Sequence, residues 1–127
     1  MKIKKGVDGR KHKRFQVKEG THAVLHNHER RIGSVIDISR SGLSFRYFDD
    51  VRGRKDSGSA KLEIACTDEG FYLRLIPVST VYDKLEPRDV PLNTLKNRRC
   101  GVKFEKLSDY QLSLVKYFVQ KFTIDES

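Results

Sequence analysis

The stretch Asp37-Ile38-Ser39-Arg40-Ser41-Gly42 puts a carboxylate, two hydroxyls, a cation and a bare backbone position side by side. It closes one apolar-alternating run and opens the next. Upstream, Ile32, Ser34, Ile36 and Ile38 fall on one face of an extended segment. Asp37 and Ser39 then share the other face, because side chains alternate along a strand. Downstream, Leu43, Phe45 and Tyr47 alternate with Ser44, Arg46 and Phe48. A second strand therefore starts after a turn in which Gly42 is free to take a positive φ and to let a ligand approach the backbone. Such a strand end suits a flat ligand that offers N–H donors together with phosphate or carbonyl acceptors. The competing reading is an ordinary turn between two strands, stabilised by Asp or Ser side chains.

The second chemically pointed stretch is Arg10-Lys11-His12-Lys13-Arg14. It ends a leader, residues 1–14, that also holds Lys2, Lys4 and Lys5 and has no core-facing period. Too little apolar surface is present to offset the entropy of ordering, so this segment is expected to be a flexible basic arm. An arm that orders on a ligand and a plain solvated tail are both compatible with its composition.

Other chemistries find little support. His22, His26 and His28 are close in sequence, and His22 and His26 share a strand face, but no cysteine lies nearby and no carboxylate alternates with them. No metal site is expected. There is no Gly-x-Ser-x-Gly elbow, phosphate-binding loop or GxGxxG run, and neither Cys66 nor Cys100 sits in an activating setting. The expectation is binding rather than turnover, with no catalytic residue.

The 127 residues suffice for one domain, and the net charge of +9 favours an anionic partner. A mean hydropathy of −0.61 implies a strongly ionic surface around a modest core. Cys66 and Cys100 lack a paired spacing and are expected to be reduced, small apolar residues. No apolar run is long enough to cross a bilayer, and Met1-Lys2-Ile3-Lys4-Lys5 is not followed by a signal-peptide core. A soluble cytoplasmic protein is expected.

Short strands are predicted over Phe15–Val17, Thr21–His26, Arg31–Ser39, Leu43–Phe48, Lys61–Cys66, Phe71–Leu75, Val78–Tyr82 and Arg99–Glu105. Glu19-Gly20, Asn27 to Glu29 and Thr67 to Gly70 read as tight turns. The segments 49–60 and 83–97 read as long connections, the second containing Pro87 and Pro91. Ser108 and Gln111 form a capping box between Leu107 and Leu112, and Val115, Phe118, Val119 and Phe122 recur at helical spacing. The result is an all-β domain with a terminal helix: a basic arm over residues 1–14, a small antiparallel β-barrel over 15–107 and a C-terminal α-helix over 108–123.

R-x-x-x-R at Arg10 and Arg14, followed after one hairpin by D-x-S-x-x-G at Asp37, Ser39 and Gly42, resembles the PilZ domain. Phe15 directly after the second arginine, the late strand Gly101-Val102-Lys103-Phe104 and the capped terminal helix extend the similarity over nearly the whole chain. The resemblance implies a six-stranded barrel of split-barrel type that binds the bacterial second messenger cyclic di-GMP and reports it to an effector protein. That effector would belong to motility, exopolysaccharide, pilus or transcription machinery. Arg10, Arg14, Asp37, Ser39 and Gly42 would bind the ligand, with Lys11, Arg40 and Tyr82 as further candidates. No cofactor other than the ligand is implied.

The chemistry of these residues agrees. An arginine can fork onto guanine O6 and N7, grip a phosphate or stack on a purine. A carboxylate can accept from guanine N1 and N2. Two positions depart from the family pattern. Gly9, just before the first arginine, has no side chain to decide between one and two bound ligands. Tyr82 stands where a tryptophan platform would otherwise serve. A basic barrel that binds RNA or single-stranded DNA is the alternative function, and a protein-interaction module with a silent nucleotide site is a third.

Overall fold

Among the described residues, eight strands and one α-helix follow in the order β1 Phe15–Val17, β2 Thr21–His26, β3 Arg30–Ile38, β4 Gly42–Asp49, β5 Ser59–Cys66, β6 Phe71–Leu85, β7 Lys96–Phe104, α1 Asp109–Lys121 and β8 Thr123–Glu126. This computed structural model describes residues 13–27, 29–49, 59–86 and 96–126. The sheet order is β2-β5-β6-β7-β4-β3-β1-β8, and β2 also pairs with β3. That second pairing closes β2 to β7 into the six-stranded antiparallel barrel expected from the sequence. Closure removes the open edges that a flat sheet of this size would expose. β1 and β8 extend the sheet outside the closed ring.

Alternation sends one set of side chains inward, and Leu25, Leu43, Phe45, Leu62, Ile64 and Ile76 are fully buried. One end of the barrel is plugged by aromatic rings. The predicted box is present, with the Gln111 N–H donating to Ser108 Oγ at 3.1 Å and the Ser108 N–H donating to Gln111 Oε1 at 3.0 Å. It starts α1 in the orientation that buries Val115 and Phe118. Phe118 and Phe122 then pack on Phe71 at the start of β6, at ring separations of 5.1 and 5.2 Å.

Near the other end of β6 the interior is ionic. Asp83 accepts from Tyr47 Oη at 2.7 Å and from Arg98 Nε at 2.9 Å, while Arg31 Nε lies 4.0 Å away. Arg31 is 6% exposed and stacks over the Tyr47 ring, so its charge is tolerated because it is paired. Tyr47 is pushed well above the ordinary phenol range, first by burial and then by its bond to Asp83. Cys66 and Cys100 are free and buried, as expected.

Several predicted elements change. Phe71–Leu75 and Val78–Tyr82 are one strand, not two. The strand runs on through Pro77, with a register shift opposite Leu62 and Ile64 and Leu75 at φ 42°. The long connection is shorter than 83–97, since β6 runs to Leu85 and β7 begins at Lys96. The helix ends at Lys121, and Thr123 to Glu126 form an unexpected strand that pairs with β1. β-Branched Thr123 and Ile124 favour that extended form.

The alternation read for β3 also fails. The register runs Val35 to Phe45 and then Asp37 to Ser44, which leaves Ile36 as an extra residue. This bulge shifts the phase, so Ile38 is buried while Ile32 is 58% exposed. Asp37 therefore shares the outer face with Ile32 and Ser34.

Phe118→Ala should lower unfolding free energy by about 3–5 kcal/mol in chemical denaturation, because it empties the aromatic plug. Burial, with a smaller contribution from Asp83, pushes the Cys100 thiol up from 9.0 to about 12. Stability attached to this thiol is fully present below the unfolded pKa and is lost as pH rises through the folded one. The denaturation midpoint should fall above pH 9, and Cys100→Ala should fall less steeply over the same range.

Candidate ligand-binding site

β3, β4, β7 and β6 carry a polar row across the outside of the barrel. Asp37 pairs with Ser44, Ser44 with Gly101, and Gly101 with Tyr82. Leu43, Phe45 and Cys100 point into the core, so their neighbours Ser44 and Gly101 face outward. The adjacent row holds Ser34, Arg46, Arg99 and Lys84. A carboxylate, a hydroxyl and an aromatic ring thus lie beside a line of cations.

Asp37 is the centre of the arrangement, and its side chain is 8% exposed. Ser44 Oγ donates to Asp37 Oδ1 at 2.8 Å, and Arg14 Nη1 donates to the same oxygen at 3.1 Å. Arg99 Nη2 lies 3.5 Å from Oδ2 and 3.3 Å from Ser44 Oγ. Pairing of β1 with β3, Phe15 opposite Ile38, carries Arg14 to this place. The structure thus brings together one residue from each of the two sequence motifs.

Ser39 is 1% exposed and organises the turn. Its N–H donates to the Gly42 carbonyl at 2.8 Å, and its Oγ accepts from the Ser41 N–H at 3.1 Å. The hydroxyl-stabilised turn is therefore real, and it coexists with the outward carboxylate. Arg40 is exposed on that turn.

Gly42 does not take a positive φ, contrary to expectation. A Cβ there would meet the Val102 carbonyl oxygen at 2.2 Å, so glycine is required by the close passage of β7. Close strand packing, not a positive φ, is thus what calls for glycine at this position. Gly101 has the counterpart role, since a Cβ there would meet the Tyr82 ring at 2.3 Å. Tyr82 therefore lies flat over Gly101, with Lys84 Nζ 5.1 Å from its ring centroid.

Arg10, Lys11 and Gly9 lie outside the described residues, as does His28. His22 and His26 occupy the outer face of β2, and His26 Nε2 is 3.5 Å from Glu63 Oε2. Among the described residues no group of three or more His, Cys, Asp or Glu is placed to hold a metal. No helix among them is long and apolar enough to cross a membrane.

Sequence reasoning missed Ser44 and Arg99. Both stand at outward positions of their strands, but only the register across β3, β4 and β7 shows that they meet Asp37. Arg46, in the same outer row as Arg99, is held by Glu86 in a fork of 2.6 and 3.2 Å. That bond holds the Glu86 carboxyl below its usual range and raises Arg46.

The architecture can be compared with solved structures. The PilZ domain of YcgR from Escherichia coli, solved with c-di-GMP, superposes with a TM-score of 0.69 at 10% identity, over 89% of this chain and 90% of that one. The chain has the PilZ-domain fold. The Bacillus subtilis inhibitor of motility MotI/DgrA matches with a TM-score of 0.63 at 12% identity, over 88% of this chain. The MrkH–c-di-GMP complex of K. pneumonia matches at 0.62 and 12%, over 87%. This chain spans about half the length of those two proteins, 50% and 51% respectively. No family model matches the sequence, and no curated protein is similar to it. The PilZ fold is thus carried by a sequence sharing only about a tenth of its residues with these structures.

Gly42→Ala should destabilise the barrel, because its methyl would meet backbone that cannot move independently. Gly101→Ala meets only a ring. Its loss should be relieved in the double variant Gly101→Ala with Tyr82→Ala, and no second-site change at Tyr82 should relieve Gly42→Ala. Thermal denaturation of the four proteins checks this.

Proposed function

We propose that this chain is a cyclic di-GMP receptor of the PilZ type, a non-enzymatic adaptor that passes ligand occupancy to a partner protein. The observation that carries the reading is the meeting of Arg14 and Asp37, 23 positions apart, at 3.1 Å on the outside of the barrel. It joins the two motifs into one constellation with the donors and acceptors that a guanine dinucleotide needs.

In this reading Asp37 accepts from guanine N1 and N2, and Arg10 and Arg14 grip a phosphate or stack on the purine. Ser39 acts by holding the turn that aims Asp37. Lys11 and Arg40 add positive potential near the phosphates, and Tyr82 offers a ring for stacking. Asp37 already has protein partners, so the ligand must exchange with them. The arm over residues 6–14 closes on the ligand in that exchange, converting chain entropy into charge-assisted contacts. The ordered arm and the adjacent basic face are then what the effector recognises. Such a receptor works in the cytoplasm, where the messenger is made.

Titration calorimetry with purified protein tests the proposal. Cyclic di-GMP should bind, and Arg10→Ala, Arg14→Ala or Asp37→Ala should each weaken it by roughly ten- to a hundredfold, the range for a lost charge-assisted bond. Absence of heat with wild-type protein at high concentration would overturn the reading.

A further inference from the structure

We propose that Arg99 reads guanine O6, so that Asp37 and Arg99 act as a two-residue reader of one base edge. This rests on the cyclic di-GMP reading above and adds a specificity residue that neither motif contains. Arg99 projects from β7 onto the outer face, in the row next to Asp37, Ser44, Gly101 and Tyr82.

Three observations carry the assignment. First, the Arg99 guanidinium stands beside the carboxylate without being consumed by it. Its Nη2 is 3.5 Å from Asp37 Oδ2, longer than a good charge-assisted bond, and 3.3 Å from Ser44 Oγ. Second, Arg99 Nε is buried and has no hydrogen-bond partner among the described residues, although the side chain as a whole is 31% exposed. A buried N–H without an acceptor is costly and calls for a reason, and a ligand acceptor supplies one. Third, the neighbouring arginines are committed elsewhere. Arg46 is forked onto Glu86, and Arg98 donates to Asp83 inside the barrel.

The chemistry of guanine fits this arrangement. N1–H and the N2 amino group are donors, and O6 beside them is an acceptor. A carboxylate takes the donors, and a guanidinium next to it donates to O6. Adenine carries an amino group where guanine carries O6, so its hydrogens would face those of Arg99. Arg99 thereby favours guanine and penalises adenine, whereas a carboxylate alone tests only the donors.

Calorimetry on wild type, Arg99→Ala and Arg14→Ala, each with cyclic di-GMP, its 6-thioguanine analogue and cyclic di-AMP, tests the role. Sulfur is a poor acceptor, so wild type should bind the thio analogue about tenfold more weakly. Arg99→Ala should weaken cyclic di-GMP by a similar factor, abolish the thio penalty and narrow the gap to cyclic di-AMP. Arg14→Ala should bind more weakly but keep the thio penalty. If the alanine protein does not fold, Arg99→Gln replaces it with the same expectations. Wild type that ignores cyclic di-GMP would defeat the receptor reading itself. Wild type that binds, alongside an Arg99 variant that binds within about twofold or keeps the full thio penalty, would overturn only the role of Arg99.

Discussion

A nearly buried carboxylate on the outside of a closed barrel is the constraint on which the site depends. An ionised side chain with so little contact with water must be neutralised by neighbours, or its desolvation would disfavour the fold. Asp37 meets this requirement with Ser44 and Arg14 on one oxygen and Arg99 near the other. These partners come from three segments, namely the chain before β1, β4 and β7. The environment of the carboxylate therefore depends on the register of the sheet as well as on the position of Arg14.

The arrangement is held from behind by a continuous mechanical path. The capping box starts α1 in the direction that seats Phe118 and Phe122 on Phe71. The helix then stops at Phe122, where the backbone leaves helical geometry, and β8 returns alongside β1. The Lys18 N–H donates to the Phe122 carbonyl at 3.0 Å, tying the two ends of this excursion together. β1 is only three residues long, and without β8 it would be a short edge strand with little to hold it. Arg14 immediately precedes it. The terminal helix thus positions a residue of the site although it does not touch the site.

The barrel's two ends are closed by different physics. Aromatic packing seals the helix end, while Asp83 with Arg31, Arg98 and Tyr47 fills the other. An ionic plug contributes less net stability than an apolar one of equal volume, because desolvation offsets most of its attraction. It does impose directional bonds, and these fix the pairing of β6 with β7, whose Arg98 and Arg99 point to opposite sides. One arginine is spent inside, which leaves its neighbour available on the outer face.

Local chemistry was legible in the sequence. The capping box, the apolar stripe of α1, the turn at Gly70 and the β character of most segments depend on interactions spanning a few residues, and they came out as read. The two motifs R-x-x-x-R and D-x-S-x-x-G were visible in the sequence, and the structure sets one residue of each, Arg14 and Asp37, 3.1 Å apart. Tertiary structure alone decided what depended on register. The bulge at Ile36 set Ile32 and Ser34 on the outer face with Asp37, apart from the buried Ile38. The passage of β7 gave Gly42 a packing role in place of a conformational one, and the sheet joined two predicted strands through Pro77. Ser44 and Arg99 entered the site for the same reason. Propensity and alternation describe a strand by itself, whereas the neighbour of a given side chain is set by how six strands close on one another.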